Sequence, residues 1–280
     1  MAITASQFKF ISDFIRKHSG IVLEVGKEYL VESRLRQIVS NEGFADFAEL
    51  VTRLKANGNL RLQEKVVAAM TTNETSFFRD QHPFEVLRDT VLPELIEKRA
   101  AQKMLNIWCA ASSTGQEPYT IAMTLVDHFP ELASWKITLL ATDLSEDVLA
   151  KAREGKFVQI EVNRGLPEQL LIKHFKKSGL EWQLSDQIRK MVEFRQMNLT
   201  APWPAMFSVD ILFMRNVLIY FDAATKQSIL TKARNVLRSD GYLFLGGTET
   251  TLGFDDAFER LPIERSGCYR LAIGTKVSRS

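Results

Sequence analysis

Cysteine is scarce in this sequence. Cys109 and Cys268 are the two present among 280 residues, far apart and each in an apolar context. That argues against a disulfide framework or a cysteine-based metal site, and two free buried thiols are expected. Histidine is equally sparse. His18, His82, His128 and His174 are scattered, so neither a metal centre nor a histidine-based catalytic cluster is expected. No apolar run approaches the roughly 20 residues that span a bilayer. The N-terminal stretch MAITASQFKFISDF lacks the basic flank and apolar block of a signal peptide. A cytoplasmic protein without direct membrane insertion is therefore expected. Charge of one sign is lacking too. The formal net charge is +2, and the first 70 residues hold ten Lys and Arg against eight Asp and Glu, which accounts for all of it. A nucleic-acid partner would call for a strong basic stripe, so none is expected, whereas an acidic protein partner is permitted.

What is present is an ordinary globular balance, 45% hydrophobic and 25% charged, enough for a sizeable core. Residues 5–70 read as four helices: FKFISDFIRKHSG, EYLVESRLRQIVSNEGF, DFAELVTRLKANGN closed by Asn57–Gly58, and LRLQEKVVAAM. Short helices joined by Gly and Asn turns suggest a compact bundle. After residue 100 strands alternate with helices. MLNIWCA, KITLLATD, VEFRQMNL, VDILFMRN and GYLFLGG are strand-like, with helices PYTIAMTLVDHF, SEDVLAKAREG and ATKQSILTKARNVLRS between them. This rhythm predicts an α/β fold whose parallel sheet is covered on both faces. Residues 156–191 fit it less well. LPEQLLIKHFK looks helical and LEWQLSDQIRKMVEF looks like a hairpin turning near Ser185–Asp186, together a small elaboration between the second and third main strands.

Ligands of an open α/β sheet sit at the carboxyl ends of its strands. The first strand here runs into AASSTGQEPY, which has Gly115 but no G-x-G-x-x-G to admit a pyrophosphate. Glu117 follows at a helix start and would repel a pyrophosphate, while suiting a ligand with positive charge. Asp143 ends the second strand, placed to hold a ribose diol. Asn198–Leu199 and Asn216–Val217 put amides at the same rim, able to bond an adenine edge or an amino-acid backbone. Ahead of the sheet lies TTNETSFFRD, residues 71–80, whose Arg79 offers a planar fork to a carboxylate. S-adenosylmethionine carries ribose, adenine, a cationic sulfur, an ammonium and a carboxylate, and fits this inventory. Singly, each residue has a plainer reading: Glu117 as a first-turn acid, Asp143 as an N-cap, TTNETSFFRD as a linker with packing residues Phe77 and Phe78. Their joint placement at strand ends favours the cofactor.

The blocks TTNETSFFRD, WCAASSTGQEPYTIAM, ATDLSEDVLAKAREG, EVNRGLPEQLL, FRQMNL, FMRNVLIYFD and GYLFLGGTE, in this order, resemble those of the chemotaxis receptor glutamate O-methyltransferase family. The resemblance implies a class I S-adenosylmethionine-dependent methyltransferase sheet, Rossmann-like, with a small β-subdomain at about 157–194 and an all-helical N-terminal domain. It divides the chain into a receptor-docking domain over 1–70, a linker over 71–90 that contributes to the cofactor site, and a methyltransferase domain over 91–280. It implies that Asn73, Thr75, Arg79, Glu117, Asp143, Asn198, Leu199, Asn216 and Val217 hold S-adenosylmethionine, which leaves as S-adenosylhomocysteine. Family members usually carry an acid just before the matched Glu, where this chain has Gln116, which would soften cofactor affinity.

The implied acceptors are glutamates on the cytoplasmic methylation helices of chemoreceptors, reached in membrane-bound receptor arrays. A free glutamate, with a pKa of about 4.3, is already ionised in the cytosol and needs no general base. Tyr220 is expected to orient that carboxylate and Arg79 to assist. Arg34, with Arg36 beside it on the second helix, is expected to meet the acidic receptor helices, although charges there are also simply a solvated face. Some members grip a receptor C-terminal pentapeptide through a Gly-rich hairpin extension. LSDQ is short and has no Gly, so no strong tethering is expected. Two other classes stay in view: a cofactor-sensing module without turnover, and a nucleic-acid methyltransferase, against which RNVLIYF speaks by lacking the Asn/Asp-Pro-Pro-aromatic motif.

Overall fold

The computed structural model describes residues 2–56 and 58–272. Packing divides the chain into two units: the residues before Asn73 together with Tyr220–Thr225, and Asn73–Ile219 together with Lys226 onward.

The first unit holds the four expected helices, α1 (Ala5–Ser19), α2 (Glu28–Asn41), α3 (Phe47–Lys55) and α4 (Leu60–Met70). Local chemistry sets their ends. Thr4 and Gln7 form a capping box at the start of α1, and Gly20 closes that helix at φ 77°. Asp46 and Asn59 accept the Glu49 and Leu62 N–H groups at the starts of α3 and α4. Asn57, expected to help close α3, lies outside the described residues. The apolar faces carry Ile11, Ile15, Val31, Leu35, Leu50 and Val66, all fully buried.

In the second unit the chain is already helical within the segment read as a linker. Residues His82–Val86 form α5, a π turn follows over Leu87–Val91, and Leu92–Arg99 forms α6. Pro83 and Pro93 disguise these helices in the sequence: Pro83 stands in the first turn of α5, where no helical N–H is lost, and Pro93 follows directly on the π turn, where the regular ladder is already broken. Then come β1 (Met104–Ala110), α7 (Gln116–His128), β2 (Lys136–Asp143) and α8 (Glu146–Glu154). The elaboration comprises β3 (Lys156–Val158), α9 (Gln159–Asn163), α10 (Glu168–His174), β4 (Phe175–Ser178), β5 (Glu181–Leu184) and α11 (Asp186–Arg189). The main sheet resumes with β6 (Val192–Gln196) and β7 (Val209–Met214), followed by α12 (Ala223–Val236), β8 (Leu237–Leu245), β9 (Phe258–Arg260) and β10 (Cys268–Leu271).

The seven-stranded sheet has the order β6-β2-β1-β7-β8-β10-β9. β6, β2, β1, β7 and β8 are parallel, and β10 and β9 add antiparallel. β9 and β10 were not foreseen, since three- and four-residue strands give too short a pattern to read. Cys109 on β1 and Cys268 on β10 are both buried and unbridged. Among the described residues no helix is long and apolar enough to cross a membrane.

The small sheet, β3-β5-β4, corrects the sequence reading of its hairpin. The turn is not at Ser185–Asp186, which lead into α11. It is at Gly179–Leu180, between paired Ser178 and Glu181, with Gly179 at φ 63°. The helix read over LPEQLLIKHFK stops at His174: Phe175 turns inward at 5% exposure beside three exposed neighbours, and Phe175–Ser178 becomes an edge strand. The last strand of this sheet ends at Leu184, and Val192–Gln196 belongs to the main sheet.

At the amino end of β7, Asp210 is fully buried. It accepts from Arg99 Nε at 3.0 Å and from the Asn106 N–H at 2.8 Å, while Arg99 also forks onto Asp240 at 2.7 and 2.9 Å. These bonds hold Asp240 below the usual carboxylate range. One guanidinium thus ties α6 to two strands. Asp210→Ala leaves Arg99 its Asp240 fork but strips the buried Arg99 Nε and the Asn106 N–H of their acceptor, and urea unfolding is expected to show a loss of about 1–3 kcal/mol. A loss under about 1 kcal/mol would place the pair among exposed ion pairs in effect.

Candidate active site

The strand order reverses between β1, which continues to β2 on one side, and β7 on the other. This is the switch point at which an open sheet leaves a crevice beyond its carboxyl ends. After Ala110 the backbone turns sharply, with Ala111, Ser113 and Gly115 at φ 55°, 50° and 94°. Such a turn cradles anions when its N–H groups are bare. Here they are engaged: Ser112 N–H with the Thr142 carbonyl at 2.9 Å, Ser113 N–H with Asp143 at 2.9 Å, and Gly115 N–H with the Ser112 carbonyl at 3.1 Å. These bonds leave few bare donors for a phosphate, and Glu117 adds negative charge at the second residue of α7. A cofactor with a diol and a cation but no phosphate fits this donor set, as S-adenosylmethionine does.

Asp143, at the end of β2, holds the Ser113 and Ser145 N–H groups. Burial pushes its carboxyl up, against the pull of those backbone donors. Asp143 thus builds the turn as well as facing the rim, with lone pairs remaining for a diol. Gln116 is buried, and its side-chain Oε1 accepts the Thr114 hydroxyl at 2.8 Å.

TTNETSFFRD is held from several sides. The Asn73 carbonyl accepts the Ser113 hydroxyl at 2.9 Å, and the Phe78 N–H reaches Thr120 Oγ1 at 3.2 Å. Phe77 is fully buried, edge-on to Phe157 of β3 and Phe175 of β4 with centroids 5.0 and 5.7 Å apart. Glu74 pairs with Arg164. Gly165, at φ 86°, lies so close to the Phe77 carbonyl that a Cβ there would collide with it. The backbone then bends through positive φ at Phe78, Asp80 and Gln81, strain that persists only where the surroundings over-determine it. Thr75 is half-buried, and Arg79 donates to the Glu74 carbonyl at 2.8 Å.

The centre of the site is Arg215, directly after β7 and buried. It donates to Glu117 at 2.9 Å, to Asp80 at 2.7 Å and to the Arg79 carbonyl at 2.9 Å, with its guanidinium carbon 5.5 Å from the Phe84 ring centroid. Burial raises the Glu117 carboxyl, Arg215 and Arg79 draw it down, and Glu249 pushes it up again. The structure thus brings Arg79, Glu117, Arg215 and Glu249 into one electrostatic cluster.

The remaining rim residues lie in two turns. Asn198 accepts the Thr200 N–H and hydroxyl, and the Leu199 carbonyl accepts the Trp203 indole N–H at 3.1 Å and the Lys232 ammonium. Asn216 sits at φ 57°, and its N–H and that of Val217 run to Glu249 at 2.7 and 2.9 Å. Tyr220 falls outside this cluster. It belongs to the helical unit, where its carbonyl accepts the Val22 N–H at 3.0 Å. Arg34 is turned inward in that unit, capping the end of α4 through the Met70 and Thr71 carbonyls, both at 2.8 Å, and the Thr72 hydroxyl at 3.0 Å. Arg36 is exposed.

Arg215 and Glu249 escaped sequence reasoning as individual residues. The signal for Arg215 was a charge placed directly after the fully apolar VDILFM but for Asp210. For Glu249 it was an acid just beyond a buried strand and two glycines.

Fold and site together define an S-adenosylmethionine-dependent methyltransferase with an all-helical companion unit. The chain belongs to the CheR methyltransferase family: residues 73–266 match its SAM binding domain and residues 6–71 its all-alpha domain. It is 40% identical over 276 residues to chemotaxis protein methyltransferase 1 of Pseudomonas aeruginosa, covering 96% of this chain and 99% of that protein. It is 41% identical over 251 residues to chemotaxis protein methyltransferase Cher2 of Pseudomonas putida, covering 88% and 90%, respectively. The chemotaxis protein methyltransferase of Vibrio parahaemolyticus is 37% identical over 275 residues, covering 97% and 98%.

Gly165→Ala places a side chain against the Phe77 carbonyl and forces an L-residue to positive φ. It is expected to weaken S-adenosylhomocysteine binding in calorimetry and to lower stability by at least about 1–3 kcal/mol. Unchanged affinity would separate the Gly165 contact from the cofactor segment.

Proposed function

We propose that this protein transfers a methyl group from S-adenosylmethionine to the side-chain carboxylate of glutamates on bacterial chemoreceptors, giving methyl esters that serve chemotactic adaptation. The observation that carries this reading is the joining, along one chain, of the cofactor-binding sheet and the all-alpha unit across nearly the whole length of relatives named for chemotaxis. The proposed setting is the cytoplasm, with recruitment to receptor arrays.

Bound S-adenosylmethionine supplies an electrophilic methyl group on a cationic sulfur. We assign its binding to Asn73, Thr75, Arg79, Glu117, Asp143, Asn198, Leu199, Asn216 and Val217. Glu117 offers negative charge to the cationic part, Asp143 its remaining lone pairs to the diol, and Arg79 a fork to a carboxylate. Arg215 stays with Glu117 and Asp80 and keeps the first of these acids ionisable despite its burial. An acceptor glutamate with a pKa near about 4.3 is ionised at neutral pH, so the chain has to orient it and exclude water rather than remove a proton. Tyr220, four residues beyond Asn216, is the proposed orienting hydroxyl, with Arg79 assisting. For docking on acidic receptor helices, Arg36 is the exposed cation. Arg34, with its guanidinium engaged on α4, is proposed to support that face more than to contact the partner. The two-residue turn at Gly179–Leu180 carries no Gly-rich extension, which supports a reading without strong pentapeptide tethering.

Methyl-labelled S-adenosylmethionine with chemoreceptor cytoplasmic fragments is expected to give base-labile methanol that disappears when the receptor glutamates become Ala. Confirmed cofactor binding with no methanol from any fragment would favour a sensing module instead. In the same assay Tyr220→Phe is expected to reduce turnover with cofactor affinity retained, and unchanged turnover and acceptor affinity would remove Tyr220 from the acceptor site.

A further inference from the structure

We infer that Glu249 is a positioning residue that sets the Asn216–Val217 part of the cofactor rim. The inference rests on the assignment of Asn216 to the cofactor site and adds the residue that holds it there.

Glu249 follows β8 in the stretch Gly246-Gly247-Thr248-Glu249, and its residue exposure is 8%. Its Oε2 accepts the Asn216 and Gly246 N–H groups, both at 2.7 Å. Its Oε1 accepts from Val217 at 2.9 Å, Leu218 at 2.7 Å and, more weakly, Ile219 at 3.4 Å. Consecutive N–H groups after a residue in the left-handed region form an anion-binding nest. Here the chain fills that nest with its own carboxylate. Among the described residues no Lys or Arg forms an ion pair with Glu249, so backbone dipoles are what hold it.

The left-handed conformation of Asn216, φ 57°, lets several amides converge on one carboxylate. Gly246 locks the other side. A Cβ there would lie 2.7 Å from Asn216 Nδ2, 2.8 Å from Glu249 Oε2 and 2.9 Å from the Asn216 nitrogen. The Asn216 side chain, the Gly246 backbone and the Glu249 carboxylate therefore occupy one interlocked space. Moving the carboxylate moves the Asn216 amide. Glutamine has the same shape, but its NH2 would face backbone donors, so Glu249→Gln sets donor against donor.

The test is calorimetric titration with S-adenosylhomocysteine of the full-length protein and of Glu249→Gln, Glu249→Asp, Asn216→Ala and the double variant Glu249→Gln/Asn216→Ala. Glu249→Gln and Asn216→Ala are each expected to weaken binding roughly tenfold or more. The double variant is expected to be no weaker than the worse single one, since both remove the same contact. Glu249→Asp, which keeps the charge and both acceptors, is expected to recover part of the affinity. If Glu249→Gln does not fold, Glu249→Asp paired with Asn216→Ala is read for the same coupling. Weakening by Asn216→Ala with none from the Glu249 variants, or losses that multiply in the double variant, overturns the positioning role alone. Unchanged affinity in Asn216→Ala overturns the assignment of Asn216 to the cofactor and this inference with it.

Discussion

The site depends on one desolvated guanidinium. Arg215 ends the central strand β7 in the position where the sheet opens, and it is almost fully removed from water. A charge so placed is tolerated only when paired and hydrogen-bonded, and Arg215 is bonded through its two terminal nitrogens. Glu117 brings the start of α7 to it, Asp80 and the Arg79 carbonyl bring the segment ahead of the sheet, and the Phe84 face closes above it. Two pieces of chain, 79–84 and the start of α7, are thereby fixed relative to one strand end far from both in sequence. The segment TTNETSFFRD needs no regular structure of its own because this charge determines where it passes.

The small antiparallel sheet acts on the same segment from the other side. Phe77 is inserted between Phe157 and Phe175, so β3 and β4 form the socket that receives it. Arg164 and Gly165, on the connection between α9 and α10, complete the grip through Glu74 and the Phe77 backbone. The elaboration therefore has an architectural role independent of any peptide it binds. It and Arg215 hold opposite ends of a stretch whose backbone is bent through positive φ at three residues between Phe78 and Gln81. Strain of this kind is stable only when both ends are anchored.

Long periodic elements were legible because periodicity alone determines them. The four helices of the first unit and the five parallel strands lie where apolar spacing puts them. The positions of Asp143, Asn198 and Asn216 just at or beyond strand ends were legible from the same pattern. What was not legible depends on partners distant in sequence. Asp210 is a lone acid in an apolar strand until Arg99 is seen beside it. The hairpin was misplaced because Lys176, Lys177 and Ser178 carry little strand character, and their pairing with Gln183, Trp182 and Glu181 decides the matter. Arg34 looked like a surface cation because its acceptors are carbonyls at the end of another helix, and carbonyls leave no mark in a sequence.

The two ends of the sheet treat buried charge differently, and the difference separates scaffold from site. At the amino end, Arg99 and Asp240 are each shifted toward their charged forms, Asp240 downward and Arg99 upward. An acid with a lowered folded pKa adds stability above its unfolded pKa and loses it as pH falls through the folded value, so this network stabilises the fold at neutral pH. At the carboxyl end the sign reverses. Glu117 and Asp143 are both raised, chiefly by burial. An acid with a raised folded pKa favours the fold below its unfolded pKa and withdraws that contribution as pH rises through the folded value. Ionising the two acids therefore opposes folding, with Arg215 and the backbone donors offsetting part of that opposition. A chain optimised for stability alone would have no use for two such acids at a strand rim. Their place at the carboxyl ends of the sheet sets that end apart from the amino end, where the paired charges of Arg99, Asp210 and Asp240 stabilise the fold.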